Sequence, residues 1–113
     1  MQQHTRFYID GQWVDPVEPR TLDVINPSTE APFARIGMGS AADVDKAVAA
    51  ARRAFETFSQ TSVEERAALL EKVLGVYQQR FGDITQAISQ EMGAPLWLSK
   101  AAQAAVGVAH LAQ

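Results

Sequence analysis

The sequence predicts an α+β chain, with β-hairpins over residues 1–39 followed by about four helices over residues 40–113. Three observations carry this reading. Four of the five prolines, Pro16, Pro19, Pro27 and Pro32, fall in the first third. Each fixes φ and withholds a backbone donor, which excludes long helices there. Two turn signals, Asp10-Gly11 and Asn26-Pro27-Ser28, cut that third into short apolar runs. From Ser40 onward, apolar residues recur at the three- and four-residue spacing of amphipathic helices.

The elements follow in order. Arg6 to Val14 holds Asp10-Gly11 at its centre, and that pair tolerates the positive φ angles of a type I′ turn, so a hairpin is expected. Residues 21–25 and 33–36 form a second pair of strands. Ser40 reads as an N-cap, with Asp43 and Asp45 favoured by the helix dipole. Val44, Ala47, Val48, Ala51 and Phe55 make the stripe of that first helix, which ends near Phe58. Ser62-Val-Glu-Glu65 is a capping-box pattern opening a second helix. Its stripe is Ala67, Leu70, Val73, Leu74, Tyr77 and Phe81, and Gly82 is expected to close it. A third helix runs from Asp83 to Gly93, with Pro95 beyond. A fourth runs from about Leu96, and Ala101, Ala104, Ala105, Val108 and Leu111 are still in phase at Gln113, as in a chain cut inside a helix.

The totals exclude several function classes. With 113 residues, 47% apolar and 20% charged, the composition is that of a soluble globular chain. Net charge is -3 and Lys and Arg do not cluster, which argues against nucleic acid as a partner. No apolar run is long enough to cross a bilayer and no secretory signal opens the chain, so no membrane partner and a cytoplasmic location are expected. The absence of cysteine removes disulfides, thiolate–zinc sites and any thiol nucleophile.

Local motifs for chemistry are sparse. Gly37-Met-Gly39-Ser-Ala-Ala42 matches G-x-G-x-x-A between a strand and a helix, the setting of a dinucleotide-binding turn. The second parallel strand of a Rossmann unit is missing, however, and the preferred reading is a plain strand-to-helix turn. His4, near the N-terminus, and His110, on the last helix, lack converging partners for a metal. No G-x-S-x-G elbow supports a serine hydrolase. Trp13 and Trp97 read as core or interface anchors.

Five segments together carry a resemblance. They are Phe7-Tyr-Ile-Asp-Gly-Gln-Trp-Val14, Val24-Ile-Asn-Pro-Ser-Thr-Glu30, the helix from Ala42 to Phe55, Glu64-Glu-Arg-Ala-Ala-Leu-Leu70, and Glu91-Met-Gly-Ala-Pro95. In wording, order and spacing they resemble the N-terminal segment of the aldehyde dehydrogenase superfamily, including its "V-x-N-P-x-T-G-E" and "E-x-G-K-P" turns. Two departures stand out: Glu30 directly follows Thr29 with no intervening glycine, and Ala94 stands where lysine is frequent.

The resemblance implies that residues 1–113 form an incomplete N-terminal part of an α/β cofactor-binding domain. The family oxidises an aldehyde to a carboxylate with NAD or NADP. A cysteine adds to the aldehyde, hydride passes to the nicotinamide, and a glutamate-activated water hydrolyses the thioester. An asparagine stabilises the oxyanion. The family carries these groups, and its main nucleotide-binding strands, downstream of this segment. The chain alone is therefore expected to hold no catalytic and no cofactor-binding residue, and to be inert. By the same resemblance Ala102, Gln103 and Val106 face the substrate entrance, with simple helix packing as the alternative. The carboxylate of Glu91 and the backbone carbonyl near Ile25 match a monovalent-cation site, with a solvated or helix-capping Glu91 as the alternative. The expected partner is the remainder of the enzyme chain, and self-association is expected of the uncovered helix stripes. The competing reading is a stand-alone helical self-association or interaction module.

Overall fold

The computed structural model describes residues 1–113, which form two compact units: residues Met1–Ile25 with Ala31–Gln60, and Asn26–Glu30 with Thr61–Gln113. The architecture is α+β, with short strands first and helices after Ala41.

In the first unit, β2 (Phe7–Ile9) and β3 (Gln12–Val14) pair antiparallel, with Phe7 opposite Val14 and Ile9 opposite Gln12. That register leaves Asp10 and Gly11 as the two-residue loop. Their φ values of 56° and 74° are both positive, as a type I′ turn requires. Tyr8 and Trp13 meet across the hairpin in a tilted pair with ring centroids 5.3 Å apart, and both remain exposed. A three-stranded sheet is ordered β1 (Gln2–His4), β5 (Ala31–Met38), β4 (Arg20–Asn26). The four-residue link between β4 and β5 is far too short for a parallel crossover, so these two form a hairpin.

Strand β1 is a correction to the sequence reading, which left His4 outside any element. It pairs parallel with β5, placing Gln2 beside Ala34 and His4 beside Ile36. Three residues with no apolar alternation carry no strand signal of their own, and the pairing comes from the partner. Gly37 makes it possible, because a Cβ there would lie 2.5 Å from the Thr5 carbonyl oxygen.

Helix α1 (Ala41–Phe58) lies on β2 through its alanine side, where Ala50 is buried and Ala47 half-buried. Val44, Val48 and Phe55 of the expected stripe are exposed, Phe55 at 66%, as an uncovered helix face would be. Arg53 reaches Asp10 at 3.0 Å, tying the helix to the hairpin turn.

The second unit is helical. Helix α2 (Val63–Gln79) opens with the expected capping box: Glu65 N–H donates to Ser62 Oγ at 3.1 Å and Ser62 N–H to Glu65 Oε2 at 2.7 Å. It ends at Gln79, and α3 (Phe81–Met92) starts two residues on. Gly82 therefore does not close α2 but sits inside the first turn of α3. Arg80 makes the bend with φ −101° and ψ 15°, a conformation that needs no glycine. Gly93 caps α3 at φ 73° in the left-handed region, as expected. The last helix is three pieces: α4 (Leu96–Leu98), a π-helical turn (Ser99–Gln103) and α5 (Ala104–Leu111). Ser99 and Ala104 are fully buried in this unit, and Thr85 nearly so.

The cores are thin. Ala34, Ala50 and Ala104 are the only buried apolar residues, whereas Trp13, Phe55, Val76 and Trp97 are among the many large side chains left in water. Trp13 and Trp97 are thus not core anchors of this chain.

Candidate functional site

The turn at Gly37–Ala42 is the one local motif with a phosphate-binding appearance, and its geometry argues against that role. The α1 N-terminus already holds an anion of its own. Asp43 Oδ2 accepts the Ser40 N–H at 2.9 Å and the Ser40 hydroxyl at 3.0 Å, while Oδ1 accepts the Val17 N–H at 3.0 Å. Asp43 is only 5% exposed. The Ser40 N–H foremost, then the Val17 N–H, and lesser contributions from the Ser40 hydroxyl and the Lys46 charge hold its carboxyl below the ordinary aspartate value, against the opposing effect of burial. A pyrophosphate would meet a buried carboxylate where it needs free N–H donors. The glycine of β5 is explained by β1, and α1 is followed by α2 rather than by a strand. These residues do not fit a dinucleotide. Asp45, the other acid expected to favour the helix dipole, is exposed and separate from this network.

The last helix holds the three residues matched to a substrate entrance. Ala102 and Gln103 lie in the π-helical turn and Val106 in α5. Ala102 and Val106 are exposed; Gln103 is half-buried, its Oε1 accepting the hydroxyl of buried Ser99 at 3.2 Å. Within this unit the Tyr77 hydroxyl donates to the Ala104 carbonyl at 2.8 Å, and Gly107 faces the same ring. A π-helical turn interrupts regular helix geometry and so changes how the following side chains are aimed. Nothing in the sequence signals it beyond the run of small residues, which fixes no helix face.

The residues matched to a cation site are each described in their own unit. Ile25 is in β4, and Glu91 is an exposed residue in the last turn of α3, two residues before the Gly93 cap. No three His, Cys, Asp or Glu side chains come together in the chain. His4 lies 3.3 Å from the Gln2 amide oxygen, and His110 is exposed on α5.

One feature escaped the sequence reading. The second unit carries an open groove of about 580 Å³ between α2 and α3, walled by Val73, Val76, Ile84 and Ala87. Lys72, Arg80 and Asp83 stand at it, and Arg80 pairs with Asp83 at 3.1 Å. The signal was Val76, an apolar residue outside the Leu70–Leu74–Tyr77 stripe, which gives α2 a second apolar face.

Comparison with known proteins supplies what local geometry does not. The model of the aldehyde dehydrogenase family matches residues 13–112. A Staphylococcus aureus protein assigned to the aldehyde dehydrogenases is 46% identical over 110 residues, 97% of this chain and 23% of its own length. The crystal structure of an aldehyde dehydrogenase from Bartonella henselae superposes with a TM-score of 0.97 at 46% identity, covering 99% of this chain and 24% of that one. A Pseudomonas syringae aldehyde dehydrogenase, solved with NAD+ and octanal, superposes with a TM-score of 0.93 at 44% identity, covering 96% of this chain and 22% of that one. The chain thus spans about a quarter of the length of the relatives it matches. On the family match and on these relatives, the chain belongs to the aldehyde dehydrogenase family.

Proposed function

We propose that this chain is the leading part of the cofactor-binding domain of a cytoplasmic NAD(P)-dependent aldehyde dehydrogenase. The whole polypeptide would oxidise an aldehyde to a carboxylate, and this part would supply structure rather than chemistry. The family match over residues 13–112, beside relatives about four times as long, carries the reading. Two further facts support it. A neighbour of 44% identity is solved with NAD+ and an aldehyde, and this sequence has no cysteine to attack a carbonyl carbon. The Asp43 carboxylate at the α1 N-terminus supports placing the nucleotide site outside residues 1–113. In the whole enzyme Ala102, Gln103 and Val106 would border the substrate entrance. Glu91 and the Ile25 carbonyl would offer oxygen ligands to a monovalent cation. The test is to incubate the purified chain with NAD or NADP and a panel of aliphatic aldehydes, following reduced nicotinamide. The expected rate is that of buffer alone, with no saturable NAD binding. Turnover by the chain would overturn the reading.

A second reading has its own observation. Val44, Val48 and Phe55 on α1, and the α2–α3 groove, are exposed apolar surfaces that favour self-association or a protein partner. Light scattering separates the two. A well-behaved monomer or a defined dimer supports an interaction module, and heterogeneous association supports a part lacking its surroundings.

A further inference from the structure

The exposed side of α1 is patterned along its length. Val44, Val48, Ala51, Phe55 and Phe58 recur at alternating steps of four and three residues. That is the spacing of a coiled-coil seam, two heptads long. All five are open to water. Ala50, the buried contact with β2, projects roughly 120° away from Val44 around the helix, so the hairpin leaves the seam clear. Asp45 and Arg52 flank the seam on the side away from the hairpin, and Ala47 and Ala54 flank it on the other. Both charged residues are exposed, and neither forms an ion pair or a hydrogen bond within the chain. Arg53, by contrast, is paired with Asp10.

We infer that α1 is a self-recognition surface on which a second copy of this chain lies antiparallel, in a register set by Asp45 and Arg52. This rests on the second reading above and gives it a face, an occupant and a geometry. Charge complementarity selects all three. In an antiparallel pair related by a two-fold axis, Val44 meets the partner's Phe55 and Val48 the partner's Ala51, and each contact occurs twice. The same register sets Asp45 opposite the partner's Arg52, and Arg52 opposite the partner's Asp45. Charges flanking a seam fix partner and orientation in this way. Sliding by one heptad puts Arg52 against the partner's Arg52, or Asp45 against the partner's Asp45, so both shifted registers are repelled. A parallel pair sets Arg52 beside the partner's Ala47, with no ion pair. Helix α1 has 18 residues and is about 27 Å long, so the contact is short and the dimer weak and concentration-dependent.

Sedimentation equilibrium of the isolated chain over a concentration series tests this. The unchanged chain should pass from monomer to a defined dimer. Asp45→Arg alone makes both flanking contacts positive against positive, and Arg52→Asp alone makes both negative against negative. Each should raise the dimer dissociation constant about tenfold or more. An equimolar mixture of the two variants restores opposite charges at both contacts, and should dimerise within about threefold of the unchanged chain. Both positions lie in water, and circular dichroism checks that the variants keep their helices. Should either reversal unfold the chain, Phe55→Glu takes its place; a carboxylate in the seam should abolish the dimer, and a dimer that persists would overturn the proposal. A chain monomeric at every concentration would overturn it and leave the second reading standing. A defined dimer that ignores the reversals, or a mixture no tighter than the single variants, would do the same. Heterogeneous association would sink both, and leave the stripe to the rest of the polypeptide.

Discussion

Gly107→Ala tests the packing that holds α5 to α2. A Cβ on Gly107 would fall 2.5 Å from Tyr77 Cζ and 2.9 Å from Cε2, and would strike the hydroxyl oxygen as well. The ring cannot swing aside freely, because its hydroxyl donates to the Ala104 carbonyl at 2.8 Å. Losing that bond costs about 1 kcal/mol. Overpacking of this kind, the lost bond included, costs about 1–3 kcal/mol, and the higher helix propensity of alanine returns about 1 kcal/mol. The expected net effect is a loss of up to about 2 kcal/mol. Tyr77→Leu deletes the three clashing ring atoms. In that background Gly107→Ala should stabilise by about 1 kcal/mol, since only the propensity gain remains. The coupling between the two sites is then about 1–3 kcal/mol. Urea unfolding followed by far-UV circular dichroism measures all four corners of the cycle. Additivity of the two substitutions within about 0.5 kcal/mol would refute the reasoning.

Three other predictions concern Glu30, Gly37 and Asp43. Glu30 sits at φ 57°, and a left-handed residue other than glycine costs about 1–2 kcal/mol. Glu30→Gly, after the greater entropy loss of glycine, should gain up to about 1 kcal/mol and raise the thermal midpoint by a few degrees; a lower midpoint would count against the strain. Gly37→Ala places its Cβ against the Thr5 backbone, which cannot yield. It should strip hydrogen-exchange protection from residues 2–4 while leaving α2 and α3 protected. Asp43 supplies a pH dependence. Its folded pKa lies below the ordinary value of 3.8, so its contribution is present above pH 3.8 and is lost as pH falls through the lowered value. Asp43→Asn should be less stable at neutral pH and should show a flatter acid limb in pH-dependent thermal unfolding. An unchanged acid limb would mean that the bonds to Ser40 and Val17 contribute nothing.

What was legible in the sequence was local. Asp10-Gly11 fixed the register of β2 on β3 because few residues accept two successive positive φ angles. Ser62 and Glu65 marked the start of α2 because each satisfies the other's backbone N–H, and Gly93 marked the end of α3 because that cap is left-handed. What was not legible depends on partners. Gln2–His4 becomes a strand only against β5. Arg80 turns the chain between α2 and α3 in a conformation open to any residue, so Gly82 was a misleading marker. The open stripe of Val44, Val48 and Phe55 on the first helix was expected, but that its alanine side would meet β2 depends on the hairpin and could not be read from the helix alone. The proposed site residues fared alike. Ala102, Gln103 and Val106 carry no signal of a role, because small and apolar residues serve packing and substrate access equally well. The family was legible from five ordered turns and helix openings, each weak by itself.

The central claim is that this chain is a structural quarter of an aldehyde dehydrogenase with its chemistry elsewhere. The most direct measurement is aldehyde-dependent NADH formation, with octanal, by the Bartonella henselae chimera carrying this chain in place of its own matching segment, run beside the isolated chain. The account predicts turnover by the chimera and none by the isolated chain. Turnover by the isolated chain, or a folded chimera that binds NAD yet oxidises none of a panel of aldehydes, would contradict it.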